Sequence, residues 1–532
     1  MSRRTFVQGA GAAVAAVFSA GLVGCGGSGV AGSGAGGDGS YKDVLNVAAY
    51  GDQDTLDPQV NVTNDKVLRL LYSGLLTNDP EDGSIKDDLA ESHEMTEDGL
   101  TWTFRLRKGV KFASGDTLTS ADVVATFERL LNPDHPLRYS DSVSFIDKVE
   151  APDDQTVVMT MNTTYGAIED TLAMQCCFIL NKKVIEEYGY DIGTDPKTID
   201  GTGPYSVESW DTGEQMTFKA NENWYGGKPG TASIVMKVIP EASSRAMALE
   251  NGEVDILDRP AVDDVQRLSS EGGLKLISEP GYGLQGFQFN CSEQSVCHDV
   301  NVRKAISLAI DREKIVNSLF KDIKETATKG PLVPQNRGYV DFGVIKQDKD
   351  AARAALEAAG KPEGVDITIM TFAGYNKGVE LAEAIKDQLG DVGIKADIET
   401  VDDATFNATL NGIKPEDMKY DMFIMGFGGS SLDPDASLRR VCVTSEDGLN
   451  TNNYGWYSNA KVDQLLNDAI KLVDQDKRME MYKEAQQIIY IDDPFAVYLN
   501  LRNSLFVTSD KVEGFSLNKM QVPMYETVKV QA

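Results

Sequence analysis

The sequence predicts an α/β protein with more than one lobe. Short segments with the period-two pattern of strands alternate along the chain with amphipathic helical segments. Residues 365–400 have the order strand, helix, strand that is typical of a parallel sheet. The chain has 532 residues, which is more than one hydrophobic core usually organises. We therefore expect two or three lobes.

The N-terminus carries the signals of an exported lipoprotein. Residues 2–7 read Ser-Arg-Arg-Thr-Phe-Val, a twin-arginine export signal, and an apolar stretch rich in Ala and Gly follows. Residues 22–25 read Leu-Val-Gly-Cys, the pattern of a lipoprotein processing site. We therefore expect residues 1–24 to be a signal peptide, Cys25 to carry lipid on the extracytoplasmic face of the cell membrane, and residues 25–42 to form a flexible tether. An uncleaved signal anchor or a chance cysteine are the alternatives.

The elements of the body follow in order. Residues 101–107 alternate apolar and polar side chains, which predicts a strand with one buried face. Thr119 and Asp122 have the spacing of a capping box, so a helix should begin there and end before Asn132-Pro133. The later patterns predict helices at residues 302–310, 350–359, 377–389 and 461–490, and strands at residues 365–371, 394–400 and 422–425.

Composition excludes several classes of partner. The chain has 82 acidic and 51 basic residues and a formal net charge of −31, which argues against binding of nucleic acid and against adhesion to an anionic membrane surface. No segment after the signal has about 18 consecutive apolar residues. We therefore expect membrane attachment through the N-terminal lipid alone.

The cysteines of the body lie in an oxidising compartment if the chain is exported. Besides Cys25 they are Cys176, Cys177, Cys291, Cys297 and Cys442. Cys291 and Cys297 are close enough in sequence to close a small loop as a disulfide, and one of the adjacent pair could reach Cys442. An odd number leaves at least one thiol free. A zinc site is the alternative, but the chain has no Cys-x-x-Cys pair and only 3 histidines, so we expect no metal.

Catalytic and cofactor motifs have no support. A Gly-x-Gly-x-x-Gly match at residues 27–32 lies in the tether, and a second at residues 281–286 precedes a strand rather than a helix. The chain has no Gly-x-Ser-x-Gly elbow, no His-Glu-x-x-His and no phosphate-binding loop of the Walker type. Neighbouring carboxylates such as Asp402 and Asp403 are expected by chance on so acidic a surface. We expect neither an enzyme nor a cofactor.

Several longer motifs occur in one order along the body. Residues 98–112 read Asp-Gly-Leu-Thr-Trp-Thr-Phe-Arg-Leu-Arg-Lys-Gly-Val-Lys-Phe, residues 201–205 read Gly-Thr-Gly-Pro-Tyr, and residues 302–306 read Val-Arg-Lys-Ala-Ile. In these motifs the chain resembles the extracytoplasmic solute-binding proteins of ABC importers, family 5, the oligopeptide, dipeptide and nickel-binding type. The resemblance extends from residue 45 nearly to the C-terminus.

The resemblance implies a type II fold of the periplasmic binding proteins, with two α/β lobes joined by a hinge and an extra N-terminal domain. Lobe I would comprise residues 43–72, 193–284 and 495–532, the extra domain II residues 73–192, and lobe III residues 285–494. The lobes would close around ligand, which shifts the population toward the closed state by contacting both.

The resemblance also implies which segments line the cleft: the turn after the first strand, a loop in the second lobe, and a segment before an Asp-Pro. The corresponding residues here are Gln53, Asp54, Thr55, Tyr375, Asn376, Phe427, Gly428, Gly429, Ser430, Ser431 and Asp433. The two glycines permit a close backbone approach, and the two serines supply hydroxyl groups for a polar ligand.

One segment departs from the pattern of the peptide binders in the family. Ser430 stands where they place an aspartate for the ammonium group of the peptide, and Phe427 replaces the usual Trp. A buried ammonium without its counter-charge costs about 3–5 kcal/mol. Either Asp433 or another acid supplies the charge, or the ligand is not a peptide with a free amine. Nickel has weak support because no His falls in the expected cleft loops.

The resemblance thus predicts a monomeric, lipid-anchored receptor that captures a peptide or peptide-like solute and delivers it to the permease of an ABC transporter. A saccharide, an opine or a metal chelate is the alternative within the same class. An exported hydrolase or a signalling lipoprotein is the alternative from another class.

Overall fold

The computed structural model describes residues 41–61, 65–372, 375–410, 413–429, 431–444 and 453–532. The predicted signal peptide, nearly all of the tether, Cys25 and Ser430 lie outside the described residues. No helix within the described ranges is long and apolar enough to cross a membrane.

The structure alternates strands and helices along the whole described chain. The strands are β1 (Val44–Ala49), β2 (Leu76–Asn78), β3 (Ile85–Asp87), β4 (Ala90–Met95), β5 (Thr101–Leu106), β6 (Ile146–Asp153), β7 (Thr156–Met161), β8 (Tyr205–Asp211), β9 (Gln215–Ala220), β10 (Ser233–Val238), β11 (Ile256–Asp258), β12 (Leu274–Phe289), β13 (Thr326–Ala327), β14 (Val365–Phe372), β15 (Ile394–Val401), β16 (Met422–Phe427), β17 (Ala496–Ser509), β18 (Val512–Glu513) and β19 (Lys529–Val530). The α-helices are α1 (Asp65–Leu71), α2 (Ser120–Leu130), α3 (Ile168–Leu172), α4 (Lys182–Tyr188), α5 (Ala242–Glu250), α6 (Val262–Ser270), α7 (Val300–Ala309), α8 (Arg312–Phe320), α9 (Lys349–Ala358), α10 (Gly378–Gly390), α11 (Asp403–Leu410), α12 (Pro434–Cys442), α13 (Ala460–Ala469) and α14 (Gln475–Gln487).

One sheet of 11 strands organises most of the molecule. Its order is β15-β14-β16-β12-β17-β11-β1-β10-β9-β8, and β13 pairs with β17 off this path. The antiparallel pair of β12 and β17 lies in the middle of this order, and we call it the central ribbon. Its two ends belong to different parts of the sheet, because β12 pairs with β16 over residues 284–289 and β17 pairs with β11 over residues 506–508.

The middle of the central ribbon has no other neighbour in the sheet. Residues 502–505 of β17 pair with β12 alone, and the register of β12 shifts between Pro280 and Gly283. The resemblance to the family 5 proteins also predicts that the chain crosses between lobes near residues 283–290 and 493–500. The freestanding segment lies a few residues away from both of these ranges.

The predicted β-α-β unit is present. β14 and β15 are parallel in register from Val365 opposite Ile394, and α10 connects them. The predicted continuous helix at residues 461–490 is instead α13 followed by α14. The break has a local cause, because the Asp474 side chain accepts a hydrogen bond from the Lys477 amide and thereby begins a new helix.

The predicted N-terminal elements form a second sheet with the order β4-β5-β7-β6. Trp102, Phe104 and Leu106 alternate on its buried face, as the sequence pattern predicted. The capping box is present at the start of α2, where the Asp122 carboxylate accepts a hydrogen bond from the Thr119 amide at 2.8 Å. This sheet has a hydrophobic core of its own. The exact bounds of the three predicted domains stay a prediction.

The predicted disulfide between Cys291 and Cys297 is not formed in the structure. Both are free, buried thiols, and burial raises the pKa of Cys291 to about 11. Polar contacts hold this loop without a covalent bond. Asn290 Oδ1 accepts a hydrogen bond from Ser292 Oγ at 2.7 Å, and Ser295 Oγ donates to Asp421 Oδ1 at 2.7 Å.

His93 on β4 joins β3 to α3. Its Nδ1 lies 2.8 Å from Asp87 Oδ1 and its Nε2 lies 3.0 Å from Glu169 Oε1. The hydrogen bonds to Glu169 and Asp87 raise the pKa of His93 to about 9, although partial burial opposes this shift. Both ring nitrogens therefore donate at neutral pH, and the imidazolium bridges two carboxylates.

We predict that His93→Gln lowers the free energy of unfolding by about 1 kcal/mol at pH 6, a value discounted for solvent screening, and by much less at pH 10. The folded-state pKa is raised, so this contribution is fully present below the unfolded value near 6.5 and is lost as pH rises through about 9. Urea unfolding at both pH values measures it. His135→Gln, at an exposed histidine, is the control, and an equal loss at both pH values would contradict the assignment.

Candidate functional site

A cavity of about 680 Å³ lies beside the freestanding middle of the central ribbon. Residues from the ribbon, from the segment after β11, from the loop after β14 and from the C-terminal region meet around it. The lining residues are Lys66, Asp258, Arg259, Pro260, Ala261, Val262, Gly281, Tyr282, Gly283, Glu325, Tyr375, Asn376, Arg502, Asn503, Ser504, Leu505, Phe506, Met520 and Gln521. The cavity therefore contacts elements on both sides of the central ribbon.

A bulge in β12 shapes the ribbon at this cavity. Gly281 packs directly on β17, since a β-carbon there would lie 2.3 Å from the carbonyl oxygen of Arg502. Gly283 pairs with Arg502 in the ladder. Only a residue without a side chain permits the approach at position 281. The bulge thus fixes the backbone of Arg502 at the cavity.

The loop after β14 contributes two of the predicted ligand residues. Tyr375 and Asn376 both line the cavity. The carbonyl oxygen of Asn376 accepts a hydrogen bond from Gln285 Nε2 at 2.7 Å, which ties this loop to the ribbon. The next residue, Lys377, has a positive φ of 52° and its Nζ lies 2.8 Å from Asp263 on α6. These contacts hold the loop against both sides of the cavity.

The cavity wall contains cationic groups that the sequence analysis did not identify. Arg502 forms no ion pair with any other described residue, and its guanidinium lies 5.7 Å from the centroid of the Tyr375 ring. Arg259 contacts the Tyr50 ring at 3.8 Å and has a positive φ of 55°. Lys66 Nζ lies 3.4 Å from Asp258. Arg502 could have been found from the sequence, because it is a basic residue in the middle of a long apolar strand pattern.

Glu325 is the second acidic residue at the cavity, besides Asp258. Its side chain is only 4% exposed, and its carboxylate accepts hydrogen bonds from Asn500 Nδ2 and, at 3.1 Å, from the Asn503 amide. Burial raises the pKa of Glu325 to about 7, although these bonds and the nearby Arg502 lower it. Below pH 7 the carboxyl group is therefore mostly neutral.

Three predicted ligand residues in the turn after β1 lie elsewhere. Gln53 lines a smaller cavity of about 30 Å³ that shares Lys66 and Asp258 with the large one. Asp54 accepts a hydrogen bond from Asn61 Nδ2 at 3.0 Å, and Thr55 Oγ1 accepts one from the Asp57 amide at 3.1 Å. None of the three residues lines the large cavity.

Residues 427–429 and 431 are closely packed in the structure, and Gly428 approaches the ribbon through its backbone. The Phe427 ring packs on Tyr498 at 4.8 Å between centroids and is buried, so it is part of the core. A β-carbon on Gly428 would lie 2.7 Å from the carbonyl oxygen of Tyr282, and one on Gly429 would lie 2.7 Å from Ser437 Oγ. Both glycines are thus in close contact with the protein itself, and the approach of a ligand to them stays a prediction. Ser431 is buried, and its Oγ accepts a hydrogen bond from an amide in the same turn.

Asp433 is not available to a ligand, which corrects its predicted role. Its two carboxylate oxygens lie 2.8 and 2.9 Å from the Arg478 guanidinium nitrogens, and the side chains are 1% and 0% exposed. Asp433 also caps α12 by accepting a hydrogen bond from the Asp435 amide. Burial disfavours the charge of Arg478, but the bonds to Asp433 outweigh this and raise the pKa of Arg478. The carboxylate is a structural anchor.

Sequence comparison identifies the family to which this arrangement belongs. The profile described as "Bacterial extracellular solute-binding proteins, family 5 Middle" matches residues 84–448. The chain belongs to the family 5 solute-binding proteins. Members of this family are binding proteins of ABC importers rather than enzymes, and they act outside the cytoplasm. The fold is that of the type II periplasmic binding proteins.

Individual relatives in family 5 cover nearly the whole chain. The glutathione-binding protein GsiB of Salmonella choleraesuis (strain SC-B67) is 30% identical over 478 residues, which are 89% of this chain and 92% of GsiB. The structure of AgaA from A. tumefaciens R10 in complex with agropinic acid has 27% identity and a TM-score of 0.74, covering 92% of this chain and 99% of AgaA. The structure of CtaP from Listeria monocytogenes has a TM-score of 0.82 at 23% identity and covers 93% of this chain and 100% of CtaP.

We predict that Asp433→Asn lowers the free energy of unfolding by about 3–5 kcal/mol, because it leaves the Arg478 guanidinium buried without its counter-charge. The double variant Asp433→Asn with Arg478→Met should recover part of this loss. Chemical denaturation measures both. Asp435→Asn, which removes the neighbouring partner of the half-buried Arg439, is the matched control with a smaller expected loss. A loss below 1 kcal/mol in Asp433→Asn would contradict the structural role.

Proposed function

We propose that the protein is a lipid-anchored receptor that captures a peptide or peptide-like solute and delivers it to the permease of an ABC importer. The observation that carries the proposal is the cavity of about 680 Å³ beside the central ribbon. Cavities of this size bury most of the surface of a small ligand, and walls drawn from both sides of a hinge couple binding to closure.

The composition of the cavity wall supports a peptide-like solute. Tyr282, Leu505, Phe506 and Met520 supply apolar surface, while Asn376 and Ser504 supply polar groups. A mixture of this kind suits a solute that alternates amide groups with short side chains. The relative GsiB is described as a glutathione-binding protein, which agrees with capture of a short peptide by this chain.

The second candidate is an anionic solute of another class, such as an opine. The cations at the cavity favour it, and so does the likeness to AgaA, whose structure contains agropinic acid. The structural role of Asp433 also favours an anionic solute, because Asp433 is then not available as the counter-charge for the ammonium group of a peptide. A peptide or peptide-like solute remains the first candidate, and the peptides that we expect to bind are those that lack a free amine or carry several carboxylates.

The N-terminal part of the proposal rests on the sequence alone. Cys25 would carry the lipid, residues 25–42 would act as the tether, and the monomeric body would reach the permease at the membrane surface. The lobes would be those given above, with residues 73–192 as the extra domain.

We predict that a thermal-shift screen identifies a solute that raises the melting temperature. A ligand at 100 times its dissociation constant stabilises the folded state by about 2.7 kcal/mol, which is a readily measured shift. The screen uses the processed chain with Cys25→Ser and compares free peptides, N-acetylated peptides, glutathione, opines and saccharides. Boiled protein and the dyes without protein are the controls. No shift with any of these classes would contradict the receptor role.

We predict that lipid is attached at Cys25. Mass spectrometry of the membrane fraction should find a processed chain that begins at a modified Cys25, and Cys25→Ala should move the protein to the soluble fraction, because the anchor is then lost. Ser28→Ala in the tether is the matched control and should stay in the membrane fraction. An unmodified chain beginning upstream of Cys25 would contradict this part of the proposal.

A further inference from the structure

We propose that Arg502 is the anchor for a carboxylate group of the captured solute, with the Tyr375 hydroxyl as a second donor. This inference rests on the proposed function and narrows its solute class to carboxylic acids. The observations that carry it are the unpaired guanidinium group of Arg502, the bonding of the Tyr375 hydroxyl, and the close packing of that hydroxyl on Gly426.

Arg502 places a permanent positive charge at the wall of the cavity. A guanidinium group does not lose its proton in proteins, and Arg502 has no carboxylate partner among the described residues. The chain has 82 acidic residues against 51 basic ones, so an unpaired arginine in a cleft is unusual for this composition. Half-buried cations in proteins are normally compensated, and an anionic solute supplies the compensation here.

Tyr375 has a hydroxyl group with unused hydrogen-bonding capacity. The oxygen is buried, which raises the pKa of Tyr375, and the approach of Arg502 opposes this shift. Apart from Arg502, the hydroxyl has no hydrogen-bond partner of good geometry within the described chain. Nearly all buried polar groups in native structures are bonded. The Arg502 guanidinium lies 5.7 Å from the centroid of the same ring. A group that accepts hydrogen bonds from both side chains would satisfy the hydroxyl and the charge together.

Gly426 on β16 permits the close approach of the Tyr375 hydroxyl to this strand. A β-carbon built on Gly426 would lie 2.6 Å from the Tyr375 hydroxyl oxygen and 3.8 Å from Arg502 Nη1. Any side chain at this position would therefore displace the Tyr375 hydroxyl from its place near Arg502.

The remaining charges at the cavity do not cancel that of Arg502. Asp258 is paired with Lys66, with 3.4 Å between Oδ1 and Nζ. Glu325 is buried, and burial raises its pKa to about 7, so the carboxyl group is mostly neutral in mildly acidic solution. Arg259 adds a further positive charge to the wall. The cleft of this acidic protein is thus locally cationic.

The geometry of the two donors suits a carboxylate. A guanidinium group donates two parallel N–H bonds to the two oxygens of a carboxylate, and a tyrosine hydroxyl adds a third bond to one of them. The rest of the solute then extends along Tyr282, Leu505 and Phe506. Here the protein supplies the positive charge and the solute the negative one, whereas a site built around the ammonium group of a peptide has the opposite arrangement. This agrees with the structural role of Asp433, which leaves it unavailable to an ammonium group.

The test compares acids with their amides. The probes are trialanine, N-acetyl-dialanine and glutathione, each paired with its C-terminal carboxamide, and dissociation constants are measured by isothermal titration calorimetry at pH 6. The unmodified protein should bind the tightest acid at least about 30-fold more tightly than its amide, the factor expected for a desolvated charge pair. Arg502→Gln should remove this preference by weakening the acid and leaving the amide nearly unchanged.

Further variants separate the anchor from an effect on folding. Arg502→Lys keeps the charge and should retain part of the preference, Tyr375→Phe should reduce it several-fold, and Gly426→Ala should weaken the acid without any change of charge. Arg105→Gln, at an exposed position on β5, is the matched control and should behave like the unmodified protein. Denaturation curves confirm that each variant is folded before titration.

Two results would overturn the anchor. Equal affinity of the unmodified protein for acids and amides, or an unchanged preference in Arg502→Gln, excludes it while the receptor role stands. If none of the six probes binds while a saccharide shifts the melting temperature, the peptide assignment and the anchor both fall. If no solute of any class binds, the receptor role falls as well.

Discussion

The hydrogen-bonded ladder between β12 and β17 is the constraint on which the rest of the structure depends. It extends from Leu274 opposite Ser509 to Gln288 opposite Ala496, and the two flanking parts of the large sheet attach at its opposite ends. The cavity lies beside a stretch of this ladder, residues 502–505, that has no strand neighbour other than β12 within the described sheet. A bulge at Gly281 shapes that stretch. The position of the cleft thus follows from strand pairing rather than from any surface loop.

Electrostatics divides the charged residues of the cleft region into two groups. Asp433 and Arg478 neutralise each other completely inside the protein, and Arg478 also donates to the carbonyl oxygen of Gly166 at 2.9 Å. This pair stabilises the segment before α12. Arg502 and Arg259 keep their charges at the cavity. The first group determines structure, and the second is available for recognition.

The sequence predicted those features that depend on local pattern. The strand at Trp102, the capping box at Thr119 and the parallel unit around α10 were all correct, because alternation, capping and helix punctuation are encoded within a few neighbouring residues. The family itself could also be recognised, since many short motifs occur in one order. The helix break at Asp474 was missed because a capping residue within an amphipathic pattern is easily taken as part of its polar face.

The site was predicted less completely, for a physical reason. Tyr375 and Asn376 line the cavity, because the loop after a strand of a β-α-β unit lies at the edge of a sheet, and their contact with ligand stays a prediction. Asp433 was assigned to the ligand because its partner, Arg478, is 45 residues away in sequence. Arg502 and Glu325 were not identified, since their importance arises only when β17 and β13 meet. The thiols of the predicted disulfide are free in the structure, and one contact that holds their loop, from Ser295 to Asp421, is between residues far apart in sequence.

The central ribbon also has a consequence for folding. Each of its strands lies between two neighbours over part of its length, so loss of one side of the sheet would expose the backbone groups of the other as an open edge. If the part of the sheet on one side of the central ribbon unfolded, the part on the other side would therefore lose hydrogen-bonded partners. The two sides of the cleft behave as one cooperative unit in spite of their separate hydrophobic cores, and partly unfolded forms with a bare β12 or β17 would be prone to pair with other chains.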